Sequence, residues 1–472
     1  MATLNSALQI MTGALTADQS ALDVTSNNVA NANTPGYTRE VPLFQANDSV
    51  TINGISYGQG VQMTATQSQR SLVLNASVQQ QTQAQQATNS QWTALTQVED
   101  IFNQVTTATS GSTGVNSLGD QVSNFFNSLT ALAANPSSVS LRESVLTEAG
   151  QMASSFNSAA SQLGQQTDSL NTQVQDTVDR INPLLTSIAQ LNHQISTAGP
   201  TSNTGQMEDQ RQYDLQQLSQ YIGINVVPNQ NNSLTVTTTS GALLLSENQA
   251  FQLTTSNVGG STDVFSNAPG ATTDITAAQA GGGGQLAGLL TARDQNIPSI
   301  LGQINTLASA VANQINSVQT AGTDLNGTAG QPMFTISATD PAASLSVALT
   351  DPSLIAASAA GNGPGDNSNL ESMINVQNLA TVAGQTPGNY YASFISQLGS
   401  QVSGLNTENQ AQQASLTQVQ SQINSLSSVS LNEEAANLQT YEQAYQSASQ
   451  VFSIVDTLVM SALNLGVQTA VA

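Results

Sequence analysis

Residues 25–39 read Thr25-Ser-Asn-Asn-Val-Ala-Asn-Ala-Asn-Thr-Pro-Gly-Tyr-Thr-Arg39, and the fold is decided by what this run closes. Upstream of it, Leu4, Leu8, Met11, Leu15, Leu22 and Val29 alternate at steps of four and three, broken only by Asp18 and Thr25. Such spacing lays one narrow apolar stripe along a helix and suits a coiled-coil seam. Ala7, Ala14, Ala17 and Ala21 keep the flanking surface thin, so a second helix can approach closely. Asn27, Asn28, Asn33, Pro35 and Gly36 then end the helix and turn the chain towards Tyr37. A helix of about 28 residues spans about 40 Å.

The other end of the sequence carries a matching stripe. Leu431, Leu438, Tyr445, Phe452 and Val459 recur every seven residues, with Tyr441, Ala448, Val455 and Ala462 as a second row. Two heptad helices at opposite ends predict a rod in which one packs on the other, and everything between them is an insertion.

The run Ser26 to Arg39 resembles the signature of bacterial flagellar rod, hook and hook-associated proteins. The segment Val429-Ser-Leu-Asn-Glu-Glu-Ala-Ala-Asn-Leu-Gln-Thr-Tyr-Glu-Gln-Ala-Tyr445 resembles the closing motif of the same group. Three interior segments narrow this to the hook-associated protein 1 family: Glu208–Val227, Leu286–Pro298 and Gly322–Phe334. The resemblance is weakest at 228–284 and 336–390, and the chain is short for that family. It implies a structural subunit joining hook to filament by helical self-assembly through the terminal helices. The implied partners are copies of the chain in a ring, hook subunits, a second junction or filament protein, and an export chaperone. The implied route is type III export, which needs no cleaved signal, to a flagellar location outside the cell. A hook or rod-type subunit is the nearest alternative; a type III-secreted translocator or adhesin and a wall-acting enzyme are more distant ones.

Composition agrees with a structural role. The 472 residues carry 29 acidic and six basic side chains, a formal charge of −23, and all six bases are arginine. Nucleic acid and anionic lipid both require a positive surface, so neither is expected as a partner. The apolar run 451–467 contains Asp456 and falls short of the ~20 residues a membrane span needs. With no cysteine, no lysine and a single histidine, His193, the chain excludes thiol nucleophiles, Schiff bases, P-loops and multi-histidine zinc sites. No cofactor, metal or catalytic residue is expected. Asp324–Gly330 mimics a calcium loop only weakly and reads as a turn. Adjacent on a helix start, Glu433 and Glu434 read as partners of the helix dipole.

Between the ends, helical periodicity covers 66–105, 118–132, 139–195, with Pro183 expected to kink it, and 206–221. Breaks are expected at 109–114 and at Ala198-Gly199-Pro200. Alternation of period two marks 222–284, ending in the glycine run 281–284, read as a flexible joint. Helix returns at 300–318 and from about 390, with a β-leaning stretch at 332–360. The predicted fold is mainly α with β inserts. A terminal coiled coil would use 1–39 with 429–472, and a bundle 40–221 with 285–331 and 361–428. The β insert would be 222–284, beside the short stretch 332–360.

Overall fold

The computed structural model describes residues 2–52, 54–102, 117–199 and 203–468; Val105, the 109–114 break and Pro200 lie outside them. The chain opens with α1 (Ala2–Asn31) and a ribbon of β1 (Glu40–Ala46) and β4 (Val61–Ser68), tipped by β2 (Val50–Ile52) and β3 (Ile55–Tyr57). Helices α2 (Leu72–Phe102), α3 (Leu118–Ala133), α4 (Val139–Thr197) and α5 (Gly205–Tyr221) follow. Two antiparallel sheets come next. One joins β5 (Ile224–Pro228), β6 (Leu234–Thr238), β7 (Leu243–Ser246) and β8 (Gln249–Ala250) in sequence order. The other joins β9 (Leu253–Val258), β10 (Ser261–Ala268) and β11 (Ala271–Asp274), with β10 central.

After α6 (Thr276–Gln279), α7 (Gly284–Thr291) and α8 (Ile297–Ala321) are joined by a π-helical turn at Ala292–Asn296. Two-residue strands β12 (Gly322–Thr323) and β13 (Phe334–Thr335), the turn α9 (Pro341–Ser344), and strands β14 (Ser346–Val347) and β15 (Ser358–Ala359) fill the next segment. Helices α10 (Ser368–Asn375), α11 (Pro387–Ser427) and α12 (Leu431–Gln468) close it. The fold is therefore mainly helical with small β inserts, as the patterning predicts.

Helix α4 is the spine. Ser138 caps its start by accepting from the Leu141 amide. Val145, Met152, Phe156, Leu163, Leu170, Val174, Ile181, Leu185 and Ile188 then bury one continuous stripe. Pro183 lies inside the helix without ending it. The same core takes in α2, α3, α8 and α11, where Phe102 meets Phe394 edge-on at 5.0 Å.

The β insert is tied to this spine by amides. Asn171, Asn182 and Asn192 recur about every three turns and so share a face of α4. The Asn182 side chain donates to the Leu253 carbonyl at 2.9 Å and accepts from the Leu253 amide at 2.9 Å. Asn171 donates to the Gly260 carbonyl (3.1 Å) and accepts from the Thr262 amide (2.9 Å). Asn192 donates to Leu234 and Glu247 carbonyls (2.9 and 2.6 Å) and accepts from the Leu234 amide (3.2 Å). An amide both donates and accepts, so each clamp satisfies a backbone N–H and C=O together, and at Asn171 and Asn192 the amide oxygen also accepts from the buried Arg293 and Arg211.

Two expectations need correction. The glycine run is a packed turn, not a flexible joint: Gly281 and Gly284 have φ of +84° and +77°. A Cβ on Gly284 would lie 2.4 Å from the Ile222 nitrogen, and one on Gly283 would lie 2.8 Å from Gln83 Cβ. Residues 332–360 are mostly irregular, with a single two-residue ladder of their own, β13–β14, and Phe334, Leu345 and Ile355 buried in the helical core. Asp324 accepts from the Asn326 and Thr328 amides (2.9 and 2.8 Å) and the Thr328 hydroxyl (2.7 Å), which is a turn.

Candidate assembly interface

Asn28, near the end of α1, touches Glu434, near the start of α12, so the two terminal helices run antiparallel. The most buried residues of α1 are Ala17, Ala21, Thr25 and Asn28, with Val24 next. The reason is a second neighbour: the β1–β4 ribbon also lies on α1. Only a glycine fits at Gly13 without crowding, since a Cβ there would lie 3.2 Å from the Val61 carbonyl. Further along, Gln59 donates to the Ser6 hydroxyl at 3.3 Å. Leu4, Leu8, Met11, Leu15 and Leu22 are half-buried, while Val29 is exposed.

On α12, Leu438, Phe452 and Val459 are half-buried, as are Tyr441, Ala448, Val455 and Ala462 of the second row. Leu431 and Tyr445 point outward and are exposed. So do Val451, Ile454, Leu458, Met460 and Leu463, with Ile454 60% and Leu458 54% exposed. Of twenty exposed large apolar side chains among the described residues, sixteen lie in α1, the ribbon, the start of α2, the end of α11 and α12. Among the described residues the exposed apolar surface is therefore concentrated in this terminal layer.

A polar knot fixes the layer to the bundle. The Asn28 amide, 1% exposed, donates to the Glu40 carbonyl (2.8 Å) and to Glu434 Oε2 (3.1 Å). Its oxygen accepts from the Glu40 amide (3.0 Å) and the Tyr37 hydroxyl (2.8 Å). Arg39 holds Glu434 at 2.7 Å and Glu433 at 2.9 Å, while its backbone amide donates to the Ser427 carbonyl at 2.9 Å. On the bundle side, Asp209 of α5 accepts from the Thr38 amide (2.7 Å) and from Arg70 (2.5 Å), which also pairs with Glu208 at 2.7 Å. Gly36, at φ +81°, makes the turn beside Tyr213. Asn27 is half-buried, and Asn33 and Pro35 are exposed.

The knot's electrostatics follow from burial amid carboxylates. Burial first, then Glu40, Asp209 and Glu434, push the Tyr37 phenol above its ordinary range. Burial likewise raises Glu40, partly offset by the Asn203 amide bonded to its carboxylate. Sequence reading missed Arg39, Arg70, Asp209 and Glu434 as a unit. The available signal was scarcity: with six arginines against 29 acids, an arginine closing the turn motif is bound to find carboxylates. His193 is exposed on α4.

Residues 95–334 match the family described as "Flagellar hook-associated protein FlgK helical domain", and residues 8–38 match "Flagella basal body rod protein". The chain is similar to flagellar hook-associated protein 1 of Escherichia coli K12, 26% identical over 554 aligned positions covering 96% of this chain and 98% of that protein. It is similar to the Bacillus subtilis protein of the same name, 27% identical and covering 96% of each. Its fold is similar to the solved "flagellar hook junction protein FlgK from Burkholderia pseudomallei", with a TM-score of 0.67, 19% identity, and coverage of 76% of this chain and all of that one. The first alignment is longer than the 472 residues here, so that relative carries segments without a counterpart in this chain. With half of its length matched by the helical-domain family and a terminal motif matched by the rod family, the chain belongs to the flagellar hook-associated protein 1 (FlgK) family.

Proposed function

We propose that this chain is a structural subunit of the bacterial flagellum, set at the junction of hook and filament and assembled through its terminal layer. The observation that carries the reading is the apolar face of α12, where Val451, Ile454 and Leu458 share a stripe left exposed among the described residues. Such a face suits neighbours placed head to tail, the arrangement that generates a helical array. The assembly residues are those of the two stripes: Leu4, Leu8, Met11, Leu15, Leu22 and Val29 with Leu431, Leu438, Tyr445, Phe452 and Val459. In this reading 1–39 with 429–472 form the inner layer and the α4 bundle the middle one. Residues 222–284 stand outside.

Partners are further copies in a ring, hook subunits below and a junction or filament protein above, with a chaperone before export. The chain works outside the cell and catalyses nothing. Deleting its gene leaves hooks without filaments, with filament subunits lost to the medium, as electron microscopy and analysis of the culture supernatant would detect. Normal filaments on such cells would sink the assignment.

A further inference from the structure

The ribbon offers two features that the terminal-helix reading leaves unused. Its tip exposes Val50, Ile55 and Tyr57, 46%, 58% and 42% accessible. At the root of that tip, on the flank of α1, lies a crevice of about 520 Å³ walled by Leu8, Thr12, Gly13 and Ala17 from the helix and Val61 and Met63 from β4. No residue lining the crevice is charged.

Charge decides what can fill it. Each copy carries −23, and the cations that could offset this are mostly engaged internally. Arg39 and Arg70 sit in the knot, Arg142 donates to the Pro136 and Ile355 carbonyls, Arg211 to Asn192, and Arg293 to Asn171 and Asp294. Two such copies repel over most of their surface and touch at least cost where neither carries charge. Between Asn47 and Gly60 the tip has one acid, Asp48, and the crevice has none. Tip and crevice are different surfaces of the same ribbon. Contact made in one direction only, as a head-to-tail array requires, leaves a free tip and a free crevice at the ends and propagates from copy to copy.

We propose that the β2–β3 tip of one copy seats Ile55 and Tyr57 in the α1–β4 crevice of a second copy, adding a β-finger contact to the helix contacts of the array. The inference rests on the reading of this chain as a self-assembling subunit.

The absence of cysteine makes the test clean, because every disulfide is then an engineered one. Full-length chains carrying Thr12→Cys or Ile55→Cys are co-expressed in cells lacking the native gene, and isolated flagella are oxidised. The expected product is a crossed dimer of the two variants, absent when either is expressed alone. In addition, Ile55→Asp and Tyr57→Asp are expected to abolish filament attachment while leaving the circular dichroism of the purified chain unchanged. Immunogold labelling separates the two levels of failure. If the variants sit at the junction yet no crossed dimer forms, the finger contact is wrong and the junction reading stands. A cross-link from Ile55→Cys to a protein of different mass also overturns it, assigning the tip to another kind of subunit. If the label is found elsewhere than the junction, the functional reading itself fails.

Discussion

Asn28 shows how much one side chain can settle. It makes four hydrogen bonds, to both sides of the turn and to the opposite end of the chain. Glu434, 1% exposed, depends on Asn28 and Arg39 together. Removing one partner of a buried ion pair strands the other and costs about 3–5 kcal/mol. Arg39 is partly accessible and keeps Glu433 at 2.9 Å, so Glu434→Ala is expected below that range, at about 1.5–3 kcal/mol, the worth of hydrogen bonds to a charged group. It should detach α12, measured as faster chymotryptic cutting at Tyr441 and Tyr445. Glu40 behaves oppositely. Its carboxyl is raised above the ordinary 4.5 by burial, so its contribution to stability is complete below pH 4.5 and is lost as pH climbs through the raised value. Glu40→Gln keeps an acceptor for Asn203 and removes that slope. Its Tm should match or exceed the native chain's at pH 7, with a flatter pH dependence above pH 4.5; a fall at pH 7 would contradict this.

At the scale of elements, the two heptad helices and the β insert were legible because each rests on local periodicity. The details that were not legible depend on partners far away in sequence. Ala17 and Ala21 of α1 are buried with the ribbon packed against their helix, and nothing in residues 1–31 announces the ribbon. Gly283 and Gly284 read as flexible because their neighbours Gln83 and Ile222 stand 60 to 200 residues away. An asparagine on a helix looks like an indifferent polar residue until a strand edge is placed against it. The distinction between seam and outer face gives a paired prediction. Phe452 is half-buried on α12, whereas Ile454 is exposed. Phe452→Asp should weaken the terminal pair by about 2–3 kcal/mol, seen as loss of helical signal and rapid proteolysis after Arg39. Ile454→Asp should leave the monomer's melting unchanged and abolish attachment of filaments. Equal melting for the two variants would refute the assignment of faces.

The whole molecule is an acidic body whose basic groups, apart from the exposed Arg180, are tied into its own structure. Bringing copies together therefore means bringing like charges together. Raising ionic strength from 0.01 to 0.15 M shortens the screening length from about 30 to about 8 Å. Self-association of purified chain should accelerate over that range, followed by light scattering, and a rate indifferent to salt would refute the repulsion. The same amides that hold the β insert have a further consequence, which concerns time. An asparagine that loses its amide nitrogen becomes an aspartate, a group that at neutral pH accepts hydrogen bonds but donates none. At Asn171, Asn182 and Asn192 the carbonyls of Gly260, Leu253 and Leu234 would then face a carboxylate instead of an N–H. The spontaneous route to that change runs through attack by the following residue's backbone nitrogen. At Asn182 that nitrogen belongs to Pro183, which has no hydrogen to give up, so the proline that interrupts the helix's bonding also shields its middle clamp from ageing.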